Sequence, residues 1–298
     1  MSTLQTLIDA TALGSIYALM AVGIGLVFGV LRLVNFAYGQ LIMAGAYTLA
    51  LTNGYNPALS ILLCFAVVLG LTMTMEVVAF RPLRGTSPAT MLAATFAISF
   101  LLQSIALLKF GALGKSVGTL TGLNRPIGHG SLIVRWIWIV AIVVAVAALA
   151  GLLLLLNRTS LGLQMRAAAA DFRTASLLGV RANRVISLAV LLSGVLAATV
   201  SVILTVEQPY VTSDYALQDT IIVLVGVVVG GIDSLGSATL GGFALGFATS
   251  FLAAKLPVFG LGDPKYLYSA VFALVVIVLL LRPGGLFARR GQRAVERV

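Results

Sequence analysis

The chain has 298 residues, of which 60% are hydrophobic and only 9% charged, and its mean hydropathy is +1.10. A soluble globular domain is about half apolar and a quarter charged, so the composition excludes an ordinary soluble enzyme or binding module and predicts an all-α, polytopic helical membrane protein. The formal net charge of +10 does not indicate nucleic acid, because the basic residues gather at the ends of apolar runs, where positive-inside topology puts them.

The apolar runs predict helices near residues 8–31, 37–53, 58–80, 89–108, 133–156, 185–206, 220–232, 237–256 and 266–282. About 20 apolar residues are needed to cross ~30 Å of hydrocarbon. The seventh run falls short and is expected to form a re-entrant hairpin with the eighth, which gives eight or nine membrane-embedded elements, some interrupted. The spans leave no room for a separate soluble domain, so residues 1–298 read as one transmembrane domain. The N-terminal MSTLQTLIDATALGS has no basic stretch ahead of its apolar run, so the first helix is expected to be retained rather than cleaved as a signal peptide.

Two segments break the apolar pattern in a similar way. Val34-Asn35-Phe36-Ala37-Tyr38-Gly39-Gln40 opens the second run, and Gly230-Gly231-Ile232-Asp233-Ser234-Leu235-Gly236-Ser237 opens the eighth. Paired interruptions in the two halves of a chain often mark a translocation path, since irregular backbone is tolerated at membrane depth where it lines a cavity. Asn35, Tyr38, Gln40, Gly231 and Asp233 are therefore path candidates; a tight turn at the membrane surface is the alternative. In the fourth run Thr95, Ser99 and Gln103 recur every four residues and share a helix face. That stripe either lines a polar conduit or hydrogen-bonds a neighbouring helix. Glu76, near the end of the third run, is the best-placed intramembrane acid, and Arg81 is its expected partner.

Several chemistries are absent. Cys64 and His129 are the single cysteine and histidine, too few for a disulfide or a metal cluster within one chain. No nucleophile-base set or pair of catalytic carboxylates can be assembled from the scattered acids. Gly111-Ala-Leu-Gly114-Lys115-Ser116 resembles a phosphate loop, but the glycine required five residues before Gly114 is Lys109. No cofactor is expected on this chain. If ATP drives it, ATP and Mg²⁺ belong to a separate subunit.

The most informative stretch is Arg158 to Arg184, with five arginines and one aspartate between two apolar runs. Its middle predicts a short amphipathic helix, Arg166 to Leu178, ended by Gly179. Starting the helix near Leu163 puts Ala167, Ala170, Thr174 and Leu178 on one face. A small-residue face can enter a groove on another protein, with Arg166 and Arg173 making charge-assisted contacts around it; an amphipathic helix on anionic lipid is the competing reading. Placing this stretch inside also places Arg32, Arg81, Arg84 and the C-terminal arginines inside, 13 of the 19 basic residues. The bias predicts a cytoplasmic C-terminus and an extracytoplasmic N-terminus.

The stretch Ala167-Ala168-Ala169-Ala170-Asp171-Phe172-Arg173-Thr174-Ala175-Ser176-Leu177-Leu178-Gly179-Val180 resembles the coupling loop of permeases in the branched-chain amino-acid ABC importer family. So do Leu33 to Gln40, Phe80-Arg81-Pro82-Leu83-Arg84, Gly230 to Gly236 and Arg282-Pro283-Gly284-Gly285-Leu286-Phe287, in the family's order. The asparagine-phenylalanine segment and the Arg-Pro-x-Arg motif look more like the first of the two permease subunits. The chain departs from the family pattern at Tyr38 and Gln40, where relatives commonly carry a histidine and an acid, and in an alanine at the start of the coupling motif.

The resemblance implies a multi-pass bacterial inner-membrane permease. Its partners would be a homologous second permease chain, two cytoplasmic ATPase subunits and an extracytoplasmic solute-binding protein. Arg166, Ala170, Asp171, Arg173, Thr174, Leu178 and Gly179 would couple to the ATPases, and alternating access would follow. Urea, short amides and small aromatic or carboxylate solutes are the alternative cargo. A stand-alone channel or ion-coupled carrier is the competing class, but it would have no use for a docking loop.

Overall fold

The computed structural model describes residues 3–31, 34–84, 86–127, 134–170, 172–231, 234–259, 264–282 and 285. The apolar runs become helices: α1 (Thr3–Leu31), α2 (Tyr38–Leu51), α3 (Pro57–Met75), α4 (Pro88–Phe110), α5 (Trp136–Arg158), α6 (Ser160–Ala170), α7 (Phe172–Leu177), α8 (Ala182–Glu207), α9 (Leu217–Gly230), α10 (Leu235–Lys255) and α11 (Pro264–Leu281). A π-turn, Glu76–Phe80, extends α3. Local chemistry fixes several starts. Asn56 and Ser87 accept hydrogen bonds from Ala58 and Thr90 N–H groups ahead of α3 and α4, each with proline in the first turn, and Ser234 caps α10 through Ser237 N–H. Two short antiparallel ladders pair Lys115–Ser116 with Tyr210–Val211, and Pro126–Ile127 with Val134–Arg135.

Among the described residues, six helical segments are long and apolar enough to cross a membrane: Leu4–Val30, Pro57–Phe80, Ala89–Phe110, Trp136–Arg158, Asn183–Glu207 and Leu235–Lys255. Burial sorts them. The α1 and α8 spans are 72% and 61% buried, whereas those of α3, α4 and α5 are 28% or less. The first two form the core of the bundle and the others present apolar side chains outward to lipid. Along its length α1 packs on α10, α8 and α5, while α2 packs on α3 and α8.

The second predicted span needs correction. α2 has 14 residues, about 21 Å at 1.5 Å per residue, so it does not cross ~30 Å of hydrocarbon. Eleven of its residues are buried, which makes it an enclosed half-helix. The polar break before it takes up the chain length that a full crossing would require. α9 is equally short. It joins full-length α10 through Gly231 at φ +110°, and the two helices cross at glycine: a Cβ on Gly230 would lie 2.8 Å from the Gly241 Cα. The two runs do pair, but α10 is itself long enough to cross, so the pair is a half-helix joined to a full span rather than the expected re-entrant hairpin.

Candidate coupling loop and translocation path

The arginine-rich loop contains two helices rather than the single predicted one, α6 and α7, divided around position 171. α6 starts earlier than expected because the Thr159 hydroxyl accepts a hydrogen bond from Gly162 N–H at 3.0 Å, and it packs against α5, α8 and α1. The inward face is Gly162, Met165 and Ala168, continued by Ala175. Of the predicted docking face, Thr174 and Leu178 are exposed and Ala167 is half-buried; Leu163, Arg166 and Leu177 are exposed beside them, with Leu177 and Leu178 at 83% and 81%.

Gly179 ends α7 as predicted, at φ +87°. Val180 N–H reaches Ala175 C=O at 3.1 Å and Leu178 N–H reaches Thr174 C=O at 3.2 Å, which closes the helix end through a glycine that tolerates left-handed backbone. Arg166 donates to Asn157 Oδ1 at 2.8 Å and so ties α6 to the end of α5. Asp171 and the side chains of Ala170 and Arg173 lie outside the described residues.

Beside this loop lies a polar junction whose partner differs from the sequence expectation. Glu76 is 3% exposed. Its Oε1 accepts from Arg84 and, at 2.8 Å, from the Ser187 hydroxyl of α8, while Arg84 also donates to Asn183. Arg81 is not the partner. The π-turn, with Arg81 N–H bonded to Glu76 C=O at 2.8 Å, leaves Arg81 exposed, and the following turn brings Arg84 back. Burial pushes the Arg84 guanidinium below the ordinary arginine value, and the Glu76 carboxylate works against that shift. The junction locks the end of α3 to the start of α8, immediately after the coupling loop.

The first interruption is built around Asn35. It is 4% exposed, and its Oδ1 accepts from Ala37 N–H at 3.0 Å. Phe36 stacks on Phe96 of α4 with ring centroids 3.9 Å apart, and the Thr95 hydroxyl bonds its own helix at Leu92 C=O, 2.9 Å, as well as Val34 C=O at 3.4 Å. Thr95 therefore serves helix contact. Ser99 is buried and Gln103 half-buried on the same helix.

Tyr38 and Gln40 are fully buried, yet the Tyr38 hydroxyl and both Gln40 amide atoms have no hydrogen-bond partner among the described residues. Such groups cost about 1–3 kcal/mol each when left unsatisfied. Tyr47, about two turns further along α2 than Gln40, leaves its hydroxyl in the same condition while stacking on Phe110. The sequence drew attention to Tyr38 and Gln40, but not to Tyr47. In the second interruption, Gly231 C=O accepts from the Ser237 hydroxyl at 2.6 Å, which makes it a structural turn; Asp233 lies outside the described residues.

At the opposite end of the bundle the structure gathers a tyrosine and several acids from different helices. Tyr17 of α1 donates to Asp219 Oδ1 of α9 at 2.6 Å. Glu207 ends α8 with its Oε2 buried and unpartnered among the described residues, within electrostatic range of Asp219, Arg135 and Asp9. Sequence separation of 202 residues between Tyr17 and Asp219 hides this cluster from any local pattern. The phosphate-loop lookalike is absent as a structure: Lys115 and Ser116 form a strand edge, with no helix after them to cradle a phosphate.

Comparison with known proteins agrees with this layout. Residues 6–281 match the family described as branched-chain amino acid transport system, permease component. The chain is 32% identical over 300 residues to the high-affinity branched-chain amino acid transport system permease protein BraD of Pseudomonas aeruginosa, covering 96% of both chains. It is 29% identical over 304 residues to LivH of Escherichia coli K12, again covering 96% of each. Among solved structures, PsaBC from Streptococcus pneumoniae in complex with Fab shares the fold, with a TM-score of 0.50 at 13% identity over 93% of this chain and 91% of that one. A multi-pass helical membrane protein of this sequence belongs to the branched-chain amino acid transport system permease-component family.

Proposed function

We propose that the chain imports branched-chain or related amino acids as the permease subunit of an ATP-binding-cassette complex, with ATP and Mg²⁺ held by two ATPase partners rather than by this chain. A homologous second permease chain and an extracytoplasmic solute-binding protein complete the assembly. The observation that carries the proposal is the exposed face of α6 and α7, Leu163, Arg166, Thr174, Leu177 and Leu178, mounted on a loop tied to α5 and α8. A permease that hydrolyses no nucleotide needs such a handle. Arg166, Ala170, Asp171, Arg173, Thr174, Leu178 and Gly179 are assigned to the ATPase contact.

In this mechanism the ATPases move α6 and α7 when they bind ATP. The Glu76–Arg84–Ser187 junction passes the motion to α3 and α8. α2, enclosed and carrying unsatisfied Tyr38, Gln40 and Tyr47, then finds polar partners in solute or water as the path opens. Asn35, Ser99, Gln103 and Asp233 are assigned to the flanks of that path, with Thr95 and Gly231 holding the backbone beside it. The arginine bias supports a cytoplasmic loop and C-terminal end, and Gly285 packing against Gly231 is consistent with the two sharing one end of the bundle. The N-terminus lies on the other side, with Asp9 among the acids of the far end.

A second cargo reading, urea or a short amide, is favoured by the Gln40 amide itself, which can pair reciprocally with an amide. Uptake into proteoliposomes holding the whole complex separates the two. Labelled leucine should accumulate only with ATP and the binding protein, and excess valine or isoleucine should compete while urea and acetamide should not. Competition by urea or acetamide in place of the amino acids would replace the first cargo with the second.

A further inference from the structure

We propose that the groove between α3 and α8, at the end of the bundle that carries α6 and α7, binds the headgroup of an anionic phospholipid. The groove has a volume of about 360 Å³ and is lined by Met73, Arg81, Asn183, Arg184, Ser187, Leu188 and Leu191. Its chemistry is graded with depth. Arg81 directly follows the π-turn that ends α3, and Arg184 stands in the first turn of α8, so both guanidinium groups sit where these two spans leave the membrane. Met73 precedes Arg81 by eight residues and Leu191 follows Arg184 by seven. At 1.5 Å per residue they lie about 10–12 Å deeper. A phosphodiester between the arginines with its acyl chains along Met73, Leu188 and Leu191 satisfies both ends of the groove.

The charge balance supports an anion. Among the described residues the acid that borders the groove is Glu76, buried and held by Arg84 and by the lining Ser187 hydroxyl. Arg81 and Arg184 are exposed and have no hydrogen-bonded or ion-paired side-chain partner among the described residues. Three guanidinium groups and one carboxylate leave the rim cationic. Arginine's planar fork suits phosphate oxygens, and basic pockets between transmembrane helices recognise anionic headgroups. The floor decides between lipid and an acidic protein loop. Met73, Leu188 and Leu191 make it apolar, and a lipid brings its own apolar body to such a floor where a polar peptide does not.

The test uses the full permease complex, stripped of lipid in mild detergent and titrated with phosphatidylglycerol or phosphatidylcholine under native mass spectrometry. The wild type should retain phosphatidylglycerol over phosphatidylcholine by roughly tenfold. Arg81→Gln with Arg184→Gln should abolish most of that preference, while Arg125→Gln at the opposite end leaves it intact. Arg81→Lys with Arg184→Lys should largely keep it, which separates loss of charge from loss of fold. Equal retention of the two lipids, or a preference that survives the double glutamine variant, overturns the proposal. So does a double variant that keeps the preference yet loses its co-purifying ATPase, because the arginines would then serve a protein partner.

Discussion

Removing Glu76 tests the junction between the coupling loop and the bundle. The carboxylate is 3% exposed and the Arg84 side chain 15% exposed. Removing one member of a buried ion pair costs about 3–5 kcal/mol, because the other charge is stranded. Arg84 keeps Asn183 as an acceptor and some access to solvent, so Glu76→Ala should cost about 3 kcal/mol, the lower end of that range. Arg84→Ala strands the more deeply buried carboxylate with only Ser187, and should cost at least about as much. The double variant should be less damaging than the sum by about 1–2 kcal/mol, as expected for residues in direct contact. Arg81→Ala, on an exposed residue without a hydrogen-bonding partner, should stay within about 0.5 kcal/mol. Equilibrium unfolding in mixed micelles, read by tryptophan fluorescence, gives all four values. If Arg81→Ala matched Arg84→Ala, or if the two single costs simply added, the ion-pair assignment would be wrong.

Three further outcomes follow from particular contacts. Gln40→Leu removes two unsatisfied buried amide atoms, so stability should hold or rise by about 1–2 kcal/mol while ATP-dependent uptake falls at least severalfold; intact uptake would remove Gln40 from the path. Gly23→Ala would push a Cβ into the Tyr38 ring and hydroxyl, costing about 1–3 kcal/mol by overpacking, and Tyr38→Phe in the same chain should recover part of that loss. Gly179→Ala forces a left-handed conformation on alanine at φ +87°, worth about 1–2 kcal/mol. That strain falls on an exposed helix end with open space around it, so ATPase recovery in co-purification should drop more than the melting temperature does.

Much of this structure was legible in the sequence because hydrocarbon imposes simple rules. Long apolar runs became helices, and the glycine after Leu178 became a helix end, because left-handed backbone there needs glycine. Asn35 also marked its interruption correctly, since a short amide side chain can bond Ala37 N–H two residues on. The misses have physical reasons. α2 reads as a span in composition, but burial against α3 and α8 is a tertiary fact with no local signature. The predicted docking face is divided between α6 and α7, because apolar periodicity shows a helical face but not a break within it. Arg84 replaced Arg81 because a π-turn widens the helix by one residue per turn, and sequence spacing alone assumes an α-helix. The far-end cluster of Tyr17, Asp219 and Glu207 joins three helices distant in sequence.

The central claim is that α6 and α7 engage an ATPase, and site-directed cross-linking tests it most directly. Cys64 is the single native cysteine and is buried, so an introduced thiol is nearly alone in reactivity. Leu178→Cys, at an 81% exposed position, should cross-link to the ATPase through a short bifunctional maleimide in membranes, and ATP should change the yield. Tyr55→Cys, 60% exposed on the loop between α2 and α3 at the far end, should give no such product. A cross-link from position 55 and none from position 178 would contradict the account and place the engine at the other end of the bundle.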